Sequence, residues 1–264
     1  MNILKIAAMV LVAYALVTSS QAVTYRWTWS SATHTNGAQP GGGDLSYNSG
    51  GGKIDSIETT FNNATNRLTY DVTFDKVNSG DSKTSGYWLA LSGGPNPKGT
   101  EGELAILYFD ASSSSNPVLT AYGYNGVNGD NSYKDGRAVA GIQAPDFILS
   151  SKTSSSWIND LSVSHVGSKT RMKFDIDATS INNRVPLYGG SDWEGAEFGN
   201  KIGIWFHQVR GLSTTYKTDG ALNSFTYTNA GYLDGSNLQA VPEPATMLAL
   251  GAGCAMIARR RRKA

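Results

Sequence analysis

The stretch Asn66-Arg67-Leu68-Thr69-Tyr70-Asp71-Val72-Thr73-Phe74-Asp75 decides the fold. Leu68, Tyr70, Val72 and Phe74 alternate with Arg67, Thr69, Asp71, Thr73 and Asp75. Successive side chains of a strand point to opposite faces, so this period of two predicts a strand with one apolar face and one solvated face. Just upstream, Ile57, Thr59 and Phe61 keep the same period. The link "NNATNR" between the two runs is made of turn-forming residues, so the pair reads as an antiparallel hairpin.

The same cadence runs through the rest of the chain. "TYRWTWS", "GYWLALS", "ELAILYFD", "VLTAYGY", "DFILSS", "LSVSHV", "TRMKFDID", "KIGIWFHQ" and "LNSFTYT" bring the count to about eleven strands. They are rich in the β-branched and aromatic residues that a pleated surface favours. Between them lie Gly, Ser and Asn runs such as "NGAQPGGGDLSYNSGGGK", "SGGPNPKGTEG" and "NGVNGDNSYKDG". No segment of the body has a helical period. The expected fold is all-β, a single antiparallel β-sandwich with the cadence of a jelly roll or a concanavalin-like sandwich. A barrel is the alternative.

Both ends differ from this body. Residues 1–22 read MNILKIAAMVLVAYALVTSSQA: Lys5, an apolar run from Ile6 to Val17, then Ser20-Gln21-Ala22. This is the pattern of a secretory signal peptide cut after Ala22, and the run is shorter than the ~20 residues of a membrane span. Residues 23–240 form the expected sandwich domain, and 241–264 form a separate tail. Removing both ends takes the basic residues from 22 to 16 and the acidic ones from 21 to 20, so the body is near −4. Its charges are scattered, which excludes the basic footprint of a nucleic-acid binder. The single cysteine, Cys254, lies in the tail, so the body can hold no disulfide, thiol nucleophile or Cys-ligated metal.

The tail has three parts in order. Val241-Pro242-Glu243-Pro244 is kept extended by its prolines. Ala245 to Ala258 is an uncharged run of 14 residues. As a helix it is ~21 Å long, short for a hydrocarbon core of ~30 Å. Arg259, Arg260, Arg261, Arg262 and Lys263 then stay on the cytoplasmic side by the positive-inside rule, which leaves the body outside. This predicts a short C-terminal transmembrane helix acting as a temporary inner-membrane anchor.

Pro242-Glu243-Pro244, the apolar run and the arginine cluster together resemble the PEP-CTERM sorting signal of exported proteins in Gram-negative bacteria. The resemblance covers about 24 residues of the chain. It implies recognition by an exosortase, a membrane-embedded transpeptidase-like enzyme that cuts near the Pro-Glu-Pro motif. It also implies delivery of the body to the cell surface or extracellular matrix, in company with exopolysaccharide and biofilm.

Motifs for chemistry are sparse. Glu101 and Glu103 point to one face of a strand entrance, as paired glycosidase carboxylates do. Laminarinase-like enzymes resemble Glu-x-Asp-x-Glu, and Glu101-Gly102-Glu103-Leu104-Ala105 lacks the third acid. The densest polar-aromatic patch is "SDWEGAEFGNKIGIWFHQVRG". On its strand, Ile202, Ile204 and Phe206 share one face, and Gly203, Trp205 and His207 the other. Trp193, Trp205 and His207 are the candidate glycan contact, since ring faces take the C–H face of a sugar and polar groups take its hydroxyls. No metal site is expected. "NGVNGDNSYKDG" and "DIDATSINN" offer oxygen ligands for a structural calcium, but neither has the spacing of a calcium loop. His34, His165 and His207 are too scattered for zinc, and no Gly-x-Ser-x-Gly elbow or phosphate loop is present.

The sequence therefore points to an exported, exosortase-processed surface or matrix protein that is non-catalytic and contacts exopolysaccharide. Its expected partners are signal peptidase and the secretion machinery, the exosortase, and that polysaccharide. Two alternatives stand beside it: a secreted glycan hydrolase or lyase on the same fold, and a purely structural matrix module.

Overall fold

The computed structural model describes residues 23–32, 44–97, 103–124, 146–185 and 192–243. Strand is by far the main regular structure among these residues. One sheet contains β1 (Thr24–Ser30), β3 (Lys53–Asn62), β4 (Arg67–Asp75), β9 (Ile158–Val166), β10 (Lys169–Asp177) and β17 (Val241–Pro242), in the order β17-β1-β3-β4-β10-β9. The other runs β2-β16-β12-β5-β6-β7-β8. Its strands are β2 (Asp44–Asn48), β5 (Thr84–Ser92), β6 (Glu103–Asp110), β7 (Val118–Tyr124), β8 (Asp146–Ser150), β12 (Lys201–Arg210) and β16 (Tyr232–Gln239). Two short strands complete it: β11 (Trp193–Gly195) on β6 and β15 (Asn229–Ala230) on β12. A separate hairpin is made by β13 (Ser213–Tyr216) and β14 (Leu222–Thr226). Among the described residues the one helix, α1, is one turn long (Thr179–Asn182). All pairings are antiparallel except that of β11 with β6.

The alternation in β4 is realised as read. Leu68, Tyr70, Val72 and Phe74 are buried, and the strand pairs with β3 across the predicted hairpin, with Ile57 opposite Val72. The two sheets face each other across one core. Phe74 of the six-stranded sheet stacks on Phe206 of the nine-stranded sheet at 6.0 Å, and Tyr87 lies 5.0 Å from Phe206. Ile202, Ile204 and Phe206 are all buried there, as their spacing predicts. A shared apolar core between two sheets is the arrangement of a β-sandwich.

The structure adds strands that the sequence pattern does not show. β2 lies inside a Gly-rich stretch read as a connection, and β16, with Gly235, Ser236 and Asn237 at its middle, is not among the strands read from the sequence. β16 is bulged where it pairs with β12, and Asn237 takes a positive φ of 52°. A bulge breaks the period of two, so the apolar pattern is lost although the strand is present.

The predicted signal peptide, the uncharged run 245–258 and the basic cluster lie outside the described residues. Among the described residues, no helix is long and apolar enough to cross a membrane.

Candidate functional site

The nine-stranded sheet has strands that are apolar on both faces. In β5, Tyr87, Leu89 and Leu91 turn to the core while Trp88 and Ala90 turn outward. The outward residues of its neighbours, Ile106, Tyr108, Tyr122, Trp205 and Val209, join Trp88 in a second buried cluster. Register sets the rows: Trp205 lies opposite Ala90 and Asp234, and His207 opposite Trp88.

The hairpin β13–β14 covers part of this outer face. Leu222 and Phe225 pack on the cluster. The Tyr122 hydroxyl accepts a hydrogen bond from Leu222 N–H at 2.6 Å, and the Tyr216 hydroxyl donates to Asp110 at 2.7 Å. Burial pushes the Tyr122 hydroxyl up to about 12, and burial followed by the Asp110 carboxylate pushes Tyr216 up further. Both stay protonated at neutral pH and act as pins. The cavity left between hairpin and sheet is about 20 Å³, room for about one water.

At the edge of the hairpin runs a row of four rings, of which Trp88 is only 2% exposed and is covered by Phe225 of the hairpin. Tyr227 lies 5.9 Å from Trp88, Trp88 stacks on His207 at 5.3 Å with an interplanar angle of 10°, and His207 lies 6.0 Å from Tyr232. The ends of the row are open: Tyr227 is 41% and Tyr232 37% exposed. His207 is half-buried between them. Beside the row, on the same strand, Trp205 meets His207 edge-on at 5.0 Å.

The predicted neighbours Trp205 and His207 are thus brought together on the predicted face. Two corrections follow. Trp205 is only 2% exposed, so it is a buried neighbour of the row and not an open ring. Trp193 lies on the opposite face: it packs against the inter-sheet core, and its indole N–H donates to Ile181 O at 2.8 Å. The parallel pairing of β11 with β6 turns it inward. The exposed rings, Tyr227 and Tyr232, were not singled out from the sequence: Tyr227 stands in the predicted strand "LNSFTYT" but falls just past the end of β14, and Tyr232 starts the bulged β16. Gly203, the third residue of that face, lies under Pro95, where a Cβ would overlap the Pro95 carbonyl.

The carboxylates near Trp193 form a different locality. Burial raises both Glu194 and Glu197, and Asp192 and Glu197 add to the effect on Glu194. Glu101 lies outside the described residues, as do His34 and "NGVNGDNSYKDG". In "DIDATSINN" the two carboxylates are already engaged. Asp175 accepts from Arg67 and Asn159, and Asp177 accepts from Thr179 N–H. Among the described residues, no three His, Cys, Asp or Glu side chains gather for a metal ion.

The sorting motif begins inside the fold. Ala240 is buried and its N–H donates to Asn200 O at 3.0 Å. Val241 and Pro242 then form β17, opposite Arg26 and Tyr25 of β1, and Glu243 N–H donates to Thr24 O at 2.9 Å. Pro244 and the basic cluster lie outside the described residues.

Residues 240–263 match the PEP-CTERM protein-sorting motif. The match supports an exported protein with a C-terminal sorting signal read by an exosortase. No curated protein and no solved structure matches the chain.

Proposed function

We propose that this chain is a non-catalytic protein of the cell surface or extracellular matrix that holds exopolysaccharide through the ring row of its nine-stranded sheet. Export and tail processing bring the body to the surface, and a jelly-roll-like sandwich without cysteines holds its shape by packing alone. The observation that carries the binding reading is the exposed pair Tyr227 and Tyr232, held at the two ends of a row whose middle is the buried Trp88 and the half-buried His207. Rings fixed by their neighbours offer apolar area at low entropic cost, and the C–H face of a sugar fits them.

One observation favours the glycan-active alternative. Glu194 and Glu197 have raised pKa values, the property a general acid needs. They stand near Trp193 and away from the ring row. The body, residues 23–243, incubated with the host's exopolysaccharide separates the two readings. Co-sedimentation without new reducing ends supports the binder, and new reducing ends that vanish in Glu194→Gln or Glu197→Gln support the enzyme.

A further inference from the structure

The sorting motif and the first strand of the body share one sheet edge. β1 starts immediately after the predicted signal-peptide cut. Val23 N–H donates to the Asn63 side chain at 2.9 Å, and Val23 O accepts from Asn63 N–H at 3.2 Å. On the outer side of β1 lie Val241, Pro242 and Glu243, held by register pairing and the bond from Glu243 N–H to Thr24 O. The Arg26 guanidinium grips both oxygens of Glu58 at 2.9 and 3.1 Å, and Glu243 adds to the negative field around it.

We propose that β1 competes with the processing enzyme for the sorting motif, so that the motif must leave β1 before it is processed. This rests on the reading that the tail is an exosortase substrate. An enzyme that reads an extended chain pairs with its backbone N–H and C=O groups. In β17 those groups are already used: Glu243 N–H is bonded to Thr24, and Val241 lies opposite Arg26. Pro242 has no N–H to offer either partner. Slack is also absent. Only Pro244 separates Glu243 from the uncharged run 245–258, and one residue reaches at most ~3.8 Å. A docked motif therefore cannot enter a second site without peeling off.

The dock is built to release. β17 is two residues long, lies at a sheet edge, and Val241 is 59% exposed. Edge segments with few buried contacts open locally, without unfolding of the core. The body thus holds its own motif by a weak latch, and the latch is complete only when β1 has been placed by folding.

The test uses the full chain in its host, in a Cys254→Ser background. Arg26→Cys with Val241→Cys places two thiols on register partners, and cross-strand Cα separations of ~4.5–5.5 Å fall within disulfide range. The oxidised double variant is expected to lose its tail at least tenfold more slowly than either single variant, with the rate restored by a reductant. A companion variant, Arg26→Glu, sets a third carboxylate beside Glu58 and Glu243 and is expected to speed tail loss at least twofold. Equal rates for the oxidised double and the single variants would overturn the competition while leaving tail processing intact. Slower processing of Arg26→Glu with a folded body would overturn it too. A wild-type chain that keeps its tail beside an active exosortase would overturn the underlying reading and this one with it.

Discussion

The two sheets turn similar apolar faces to the shared core and very different faces away from it. Outward, the six-stranded sheet carries cross-strand ion pairs: Arg26–Glu58, Arg67–Asp175, Arg171–Asp71, Lys173–Asp160 and Lys169–Asp55. The Thr60 and Thr69 hydroxyls meet between them at 2.7 Å. Outward, the nine-stranded sheet carries Trp88, Tyr108, Tyr122 and Trp205. A polar face is stable in water as it stands. An aromatic face needs a cover, and the hairpin β13–β14 supplies one over part of the sheet. Where the cover stops, rings remain at the surface, and that boundary is where a ligand has apolar area to gain. The comparison locates the candidate site without any catalytic motif.

The largest expected difference between the faces is in stability. Trp88→Ala should cost about 3–5 kcal/mol in denaturant unfolding, the loss expected for a large side chain in a packed core. A cost under about 1 kcal/mol would mean that the outer cluster is a surface and not a second core. On the polar face, Arg67→Ala should cost about 1–3 kcal/mol, because the Asp175 side chain is only 8% exposed and would keep Asn159 alone as a partner. Arg26→Ala should cost less than about 1 kcal/mol, since both members of the Arg26–Glu58 pair are well exposed. A double-mutant cycle on each pair checks that order.

The faces also differ in their response to acid. Burial alone would raise Asp175, but the hydrogen bonds from Arg67 and Asn159 outweigh it and hold the carboxyl below its ordinary value. Asp177 is lowered by Thr179, and Asp75 by Ser168 and Lys76. A lowered folded pKa means that the unfolded chain takes up protons first. The contribution is therefore full above the unfolded value near ~4 and is lost as the pH falls through the lowered folded values. Melting curves between pH 6 and pH 2, taken as ~2 units either side of that value, should show the loss, and Asp175→Asn should flatten it. Glu194 and Glu197 have the opposite sign: their charged forms are disfavoured in the fold, so stability rises as the pH falls through their raised values. Glu194→Gln should stabilise the protein at neutral pH by less than about 1 kcal/mol, allowing for solvent screening. The smallest stability change is expected at Tyr232→Ala, under about 1 kcal/mol for a ring 37% exposed.

Much of the inner architecture was legible because burial on one face leaves a period of two. β4 and β10 show it directly, and so does the inward set Ile202, Ile204 and Phe206 of β12. The pairing of His207 with Trp205 was legible for the same reason. The cover was not. A residue on the outer face of an apolar strand reads as solvent-side until something is known to lie over it, and the hairpin that packs there carries no signal linking it to Trp88. Trp193 was misplaced because closeness in sequence to β12 says nothing about which face a parallel partner of β6 will join. Tyr232 was missed because Gly235 to Asn237 look like a turn while forming a bulged strand. The tail was read from order and composition alone, but its docking on β1 could not be: Val241 and Pro242 have no pattern that names their partner.

The most direct test of the ring-row account is retention of the folded body, residues 23–243, on the host's exopolysaccharide. Wild type is compared with the double variant Tyr227→Ala, Tyr232→Ala, and new reducing ends are counted in the same samples. The account predicts that wild type co-sediments, that the folded double variant binds at least tenfold more weakly, and that no new ends appear. Equal retention of the double variant, or new ends from wild type, would contradict it.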